Sequence, residues 1–314
     1  MIKGNNKEDT LNKVIFMVQK FRHIVHLIIA FFSDYLSLLG RPLFYQLQYQ
    51  HFRNEIGNNI QKKKLCILGN GPSFSQINDS FEKLANYDFC AVNLSVTSEI
   101  FFHIKPKMYV VVDMSFWMHK EHEQMKKAWD CISKINWNIE IFIPYNFPNY
   151  VKKTLEKNPY VRIYRYSNNP WEPELQYARN LKMWLYKKGF VSPNGSNVSL
   201  AAIYSSILNG YKEINLLGVE HSWMKDIKVN DKNEVVLIDR HYYGDTEHVW
   251  LDYEGNPIKL IDFIASQLST FTNHMNLRSF ADYLGDVKII NRTKDSYIDA
   301  YERGTFEELL TKGN

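Results

Sequence analysis

Cysteine is scarce in this chain of 314 residues: Cys66, Cys90 and Cys131 are the only three. They form no CxxC pair and no metal-ligand spacing, which excludes a zinc ribbon or a disulfide scaffold. Cys66 and Cys90 lie in apolar, strand-like runs, so buried free thiols in a reducing compartment are expected. No n-region, apolar core and small-residue cleavage site begins the sequence, so no cleavable signal peptide is expected. There is no GxGxxG, no Walker loop and no HExxH, and no Ser-His-Asp set can be ordered. Asp245 and Glu247 have DxD-like spacing but read as part of a loop, so no metal is expected.

Charge of one sign is missing from most of the chain. Residues 1–64 carry ten Lys and Arg against four Asp and Glu, a net of +6. Residues 65–314 carry 28 against 30, a net of −2. A near-neutral body disfavours nucleic acid as a partner. Hydrophobic residues are 45% and charged residues 23%, which excludes disorder as the main state. Aromatics reach 15%. That suits a sugar or nucleotide cleft and equally suits an aromatic core.

The N-terminal segment 13–39 reads VIFMVQKFRHIVHLIIAFFSDYLSLLG. Its longest uncharged run, His23 to Ser33, is eleven residues, short of the roughly 20 of a membrane span. The expectation is a long helix with one apolar face, interrupted by Lys20, Arg22 and Asp34 and ended near Gly40 and Pro42. It packs on the body as an accessory helix or lies in a membrane interface with its basic residues near anionic headgroups. Residues 43–60 read as further helix or linker.

From Lys64 the pattern changes to short apolar runs. Strands are predicted at 64–69, 88–93, 108–113, 139–143, 160–166, 213–219 and 287–290, and helices at 197–209 and 258–275. Apolar strands alternating with helices predict an α/β fold. It would have a single Rossmann-like, mostly parallel sheet with helices on both faces and an N-terminal helical extension. The expected division is a helical extension over 1–60, a catalytic domain over 61–295 and a helical tail over 296–314.

Five places could carry chemistry. Gly69, Asn70, Gly71, Pro72 and Ser73 form a tight turn from strand into helix, where free N–H groups suit phosphate. Asn93 and Asp113 end apolar strands, on the edge where open α/β sheets bind ligands. Asn93 could read a base or ribose, and Asp113 a hydroxyl; a strand-end cap serves either equally. Asn194 to Ser199, with Asn197 and Ser199, precede a helix of small residues and suit a carboxylate or phosphate. Glu220, His221 and Ser222 follow another strand, with Glu220 able to hold the sheet edge structurally and His221 a site residue or a packed histidine. His241, inside Asp239 to Asp245 with Tyr242 and Tyr243, suits a general base.

Taken together, ILGNGPSF at 67–74, Asn93 after its strand, LNGYKEINLLGVE at 208–220 and DRHYYG at 239–244 resemble the bacterial sialyltransferases of glycosyltransferase family 42. They also resemble the related domain of motility-associated-factor glycosyltransferases and of MptE-like hydroxymethylpterin pyrophosphokinases. The resemblance covers roughly residues 64–292 and implies a catalytic domain of GT-A-variant type. It implies Asn70, Gly71 and Ser73 at the phosphates or ribose of a CMP-sugar, and Asn93 on the cytosine or ribose side. Asp113 falls where sialyltransferases have Asn and MptE-like relatives have Asp. Asn197 and Ser199 fall near the family's Thr-Ser-Gly turn, which approaches the sugar. His241 falls on the family's general base, with one residue missing between Arg and His. Pro72, Glu220 and Ser222 complete the donor-facing set. Ser222 and Trp223 stand where sialyltransferases have a Tyr that holds the leaving phosphate; Tyr242 or Tyr243 would have to substitute.

The expected activity is therefore metal-independent, inverting transfer of a CMP-linked acidic sugar to a surface glycan or glycolipid. The nucleotide sugar is substrate, and no further cofactor is implied. The expected location is the cytoplasm, peripheral on the inner membrane. The alternatives are an MptE-like pyrophosphokinase using ATP and Mg²⁺, or a non-enzymatic binding protein of polysaccharide assembly.

Overall fold

The computed structural model describes residues 5–39, 64–77, 80–173, 178–195, 197–241, 244–252 and 255–312. The expected helix or linker over 43–60 lies outside them. Five strands follow one another across the sheet: β1 (Lys64–Leu68), β2 (Asp88–Val92), β3 (Met108–Val110), β4 (Ile139–Pro144) and β5 (Val161–Tyr166). The chain then returns to the other side of β1 with β6 (Glu213–Leu217). A three-stranded antiparallel sheet follows, made of β7 (Ile227–Val229), β8 (Val235–His241) and β9 (Gly244–Val249). Last come β10 (Lys288–Asn291) and β11 (Glu302–Arg303). The main sheet has eight strands in the order β11-β10-β6-β1-β2-β3-β4-β5, and every pair in it is parallel. The α/β, Rossmann-like expectation is met.

Period-two alternation assigns the two faces. Leu65, Ile67, Val92, Val110 and Leu216 point to one core and Ala91, Tyr109, Val111, Ile141 and Ile143 to the other. The helices are α1 (Asn5–Leu39), α2 (Glu99–Ile104), α3 (Ser115–Met118), α4 (Glu123–Ser133), α5 (Asn149–Leu155), α6 (Ala178–Lys188), α7 (Val198–Leu208), α8 (Leu260–Leu284) and α9 (Phe306–Lys312). α7 is small and apolar all round. Nine of its eleven residues are buried where it packs over β1, β2 and β3. Cys66 and Cys90 are buried free thiols inside β1 and β2, as expected.

Four expectations need correction. First, β3 stops at Val110 rather than 113: Val111 N still donates to Phe142 O of β4, but Val112 N donates to the Asn93 side-chain Oδ1 at 3.0 Å instead of to a strand. Second, residues 239–247 are not a loop. Residues up to His241 belong to β8 and those from Gly244 to the antiparallel β9, so Asp245 and Glu247 lie on a strand, and Glu247 is bonded to Lys228 at 2.8 Å. Third, the segment from 296 is not only a helical tail. Ile298 and Tyr301 are buried, and Glu302–Arg303 adds the edge strand.

Fourth, α1 is not apolar on one face only. Val14, Ile15, Phe16, Met17 and Val18 are consecutive, so they point around the whole helix, and all are exposed. Val14–Leu36 is 23 residues long and contains an 18-residue stretch of mean hydropathy 1.6. At 1.5 Å per residue it reaches about 34 Å, enough for a hydrocarbon core of about 30 Å. By length and composition it can cross a membrane, despite Lys20, Arg22 and Asp34. Ala30 and Asp34 are its buried positions among the described ones.

Candidate functional site

The strand order reverses between β1 and β6, since the chain leaves β1 toward β2 and later resumes on β1's other side. Beyond the carboxyl ends of such strands the flanking loops diverge and leave a crevice. Here the two loops cross closely. Gly69 N donates to Leu217 O at 2.7 Å and Gly71 N to Gly218 O at 2.9 Å. A Cβ on Gly69 would lie 2.2 Å from Gly218 O. Gly218 itself has φ +69°, a left-handed conformation that favours glycine. The Gly-Asn-Gly turn is therefore dictated by two backbones in contact.

This geometry corrects the phosphate role expected of residues 71–73. The Gly71 N–H is spent on Gly218 O. Ser73 N–H donates to Glu220 Oε1 at 2.7 Å, and the other carboxylate oxygen lies 1.5 Å from where a Gly71 Cβ would be. Pro72 has no N–H. The segment after the turn is a six-residue 3-10 helix, Pro72–Ile77, rather than an α-helix start. The protein's own carboxylate occupies the anion position of this turn. Ser73 faces a neighbouring cavity of about 560 Å³, lined also by Arg292, Thr293, Arg303 and Thr305.

The crevice holds a cavity of about 240 Å³. Asn70, Gly71 and Pro72 line it from β1, Glu220, His221 and Ser222 from β6, Asn93 from β2, and Asn197 and Ser199 from α7. Asp226 and Ile238, beside and on the small sheet, close one side. Nothing in the sequence pattern pointed to those two, because the hairpin that carries Ile238 was not legible.

Asn197 caps α7. Its Oδ1 accepts the Ser199 N–H at 2.9 Å and the Ser199 hydroxyl at 2.7 Å. The Ser199 Oγ is also 3.2 Å from His221 Nε2. Since the Asn197 oxygen can only accept, the hydroxyl proton goes to it, and His221 Nε2 carries the hydrogen that reaches Ser199. His221 Nδ1 is left with a bare lone pair and has no partner among the described residues. The backbone of His221 is left-handed, φ +50°. Its ring sits 4.8 Å from Trp223 and 5.0 Å from the edge-on ring of His274. Burial pushes the His221 pKa down to about 3, so the imidazole is neutral at physiological pH. Burial, then the nearby His221, holds His274 well below the ordinary histidine value; its Nδ1 is bonded to the Tyr301 hydroxyl at 2.9 Å.

The loop carrying these groups is braced from the C-terminal segment. Val219 N donates to Thr293 Oγ1 at 3.1 Å, Ser296 Oγ to Val219 O at 2.8 Å and Tyr297 N to Glu220 O at 2.8 Å. On the other rim, Asn194 N donates to Asn273 Oδ1 at 2.9 Å and Gly195 N to Asn168 Oδ1 at 3.0 Å. Ser196 lies outside the described residues.

Of the expected site residues whose side chains are described, Ser73 and Asp113 do not line this cavity. Asp113 does not line it; its Oδ1 accepts the Ser115 N–H at 2.8 Å and so caps the start of α3. Asn93 does line it, at φ +42°, but its Oδ1 is already engaged by Val112 N. His241 ends β8, and the side chains of residues 239–246 lie outside the described ones, as do Tyr242 and Tyr243 altogether.

Fold and site together define a doubly wound α/β protein with a cavity at the switch point of its sheet. A comparison with models of known protein families matches none, and a comparison with curated proteins matches none either.

Proposed function

We propose that the chain is a glycosyltransferase that moves a sugar, a CMP-linked acidic sugar in the first instance, from a nucleotide donor to a glycan or glycolipid acceptor. The observation that carries this reading is the gathering of strand-end and helix-start residues from β1, β2, β6 and α7 on one switch-point cavity. That is where α/β sheets bind nucleotides. The resemblance of the same segments to family 42 sialyltransferases supports the sugar as cargo.

In this scheme the donor's anionic part sits at the start of α7. A helix leaves its first N–H groups without intrahelical partners, and Asn197 caps only the one on Ser199. The Gly71–Ser73 turn does not serve the phosphate. His241, at the end of β8, takes the proton from the acceptor hydroxyl. The freed oxygen bonds to the anomeric carbon as the bond to phosphate breaks, inverting the centre. Incubating the purified protein with CMP- and UDP-sugars in EDTA should release the nucleotide. No release with any of them, alongside binding of ATP and a pterin, would replace this reading with the pyrophosphokinase one.

We further propose that α1 anchors the enzyme to the inner membrane with the α/β body in the cytoplasm, where activated sugars are made. The full chain should stay in the membrane pellet through a carbonate wash, and a chain lacking residues 1–39 should not. Release of the full chain by carbonate would return α1 to a peripheral role.

A further inference from the structure

The buried side-chain atoms of the cavity that lack a partner among the described residues are all of one kind. Asn70 Oδ1, Glu220 Oε2 and His221 Nδ1 are buried, and none has a hydrogen-bond partner among the described residues. Glu220 and His221 are only 7% and 6% exposed, and all three residues line the same cavity. A carboxylate oxygen and an amide oxygen can only accept. The bare His221 nitrogen also accepts, because the Asn197–Ser199 pair fixes the hydrogen on the other nitrogen. Burial keeps that ring neutral, so it stays an acceptor across the physiological range. A buried acceptor without a donor costs its full desolvation, so three together mark a place built for a donor-bearing ligand. A phosphate, itself rich in acceptors and negative, is repelled there by Glu220.

We propose that Asn70, Glu220 and His221 form a hydroxyl-reading subsite, which takes adjacent hydroxyl groups of the ligand and rejects its anion. The proposal rests on the nucleotide-sugar reading only for the source of those hydroxyls, the ribose of the nucleotide or the transferred sugar. Glu220 holds the subsite in place through its first oxygen on Ser73 N–H and reads with its second. His221 is set by its left-handed backbone and by Ser199, and Asn70 by the crossing of the two glycine loops.

The test is calorimetric titration of the full chain in detergent with CMP, 2′,3′-dideoxy-CMP, free sialic acid and inorganic phosphate. The expected result is that removing the ribose hydroxyls weakens CMP by about ten- to a hundredfold, the range of hydrogen bonds to a charged acceptor. Glu220→Gln keeps an oxygen for Ser73 and replaces the charged second oxygen with an NH₂, so the ligand hydroxyl loses the charged acceptor for its proton. It should bring the CMP to dideoxy-CMP ratio close to one with the melting temperature little changed. His221→Asn, which can offer an oxygen near the Nδ1 position, should keep most of the ratio.

If the sugar is what the subsite reads, the ratio is near one throughout and free sialic acid binds in a Glu220-dependent way instead. Binding of sialic acid without any nucleotide would overturn the nucleotide-sugar reading and leave the subsite standing. The proposal fails if CMP binds with a ratio well above one that Glu220→Gln leaves unchanged, if the ratio is near one and sialic acid shows no Glu220-dependent binding, if inorganic phosphate alone binds better in wild type than in Glu220→Gln, or if no probe binds.

Discussion

Gly69→Ala should destabilise the protein by about 3–5 kcal/mol and abolish ligand binding at the switch point. The new Cβ would stand 2.2 Å from Gly218 O, 2.8 Å from Gly218 C and 2.9 Å from Val219 Cγ2. Two of these are backbone atoms of the adjacent loop and cannot rotate away. Separating the loops stretches Gly69 N to Leu217 O and Gly71 N to Gly218 O, both buried in the crossing. Each such bond is worth about 0.5–1.5 kcal/mol net. Forcing extra volume into a packed place adds about 1–3 kcal/mol. Against a total stability of about 5–15 kcal/mol that is a large fraction. Gly285→Ala is the control. Gly285 has φ +77° but no atom within 4 Å of its added Cβ, so it carries only the left-handed strain of about 1–2 kcal/mol. Urea midpoints of the three proteins separate crowding from strain. Equal losses for the two variants would show that the crossing is not the constraint.

The same crossing explains what was legible in the sequence. β1 and β6 are short apolar runs that end in glycine, and a buried parallel strand has to look like that. The helix α7 reads as small and apolar because it is buried on all sides. Asn70, Asn93, Asn197 and Glu220 stand at strand ends and a helix start, so a parallel sheet alone brings them to one edge. What Glu220 does there was not legible. Its partner Ser73 is 147 positions away, and only the strand order places that carboxylate over the glycine turn. A glycine-rich turn after a strand carries the same letters whether it cradles a phosphate or receives a carboxylate from its own chain.

His221 was readable either as a site residue or as a packed one, and it is both: buried, and on the cavity wall. The β8–β9 hairpin was missed because Tyr-Tyr-Gly lacks the Asn-Gly or Asp-Gly pair that marks a two-residue turn. For α1, counting uncharged residues understated a helix whose few charges are spread along 23 mostly apolar positions.

Acid should unfold this protein early, and the buried histidines are the reason. The unfolded chain binds a proton on each histidine near pH 6.5. In the folded protein His221 resists protonation down to about 3, and His274 is held well below its ordinary value. The folded pKa values are depressed, so the unfolded state holds more protons below pH 6.5. The stabilising difference is fully present above that value and is lost as pH falls toward the folded pKa values. Each histidine contributes a slope of about 1.4 kcal/mol per pH unit in that window.

Both contributions are being lost between pH 6 and 5, above the range where most carboxylates titrate. The groups around the pair do not offset this. Tyr301 bonds His274 as a neutral hydroxyl, and the Glu220 carboxylate beside His221 leaves that imidazole strongly depressed. Urea denaturation at pH 7, 6 and 5 should show the midpoint falling with nearly constant slope in denaturant. His221→Asn removes one of the two protonation sites and should halve the loss between pH 6 and 5. A stability that is flat from pH 7 to 5 would mean that the imidazoles reach solvent in the native state, and the fixed Nδ1 acceptor of the cavity would go with it.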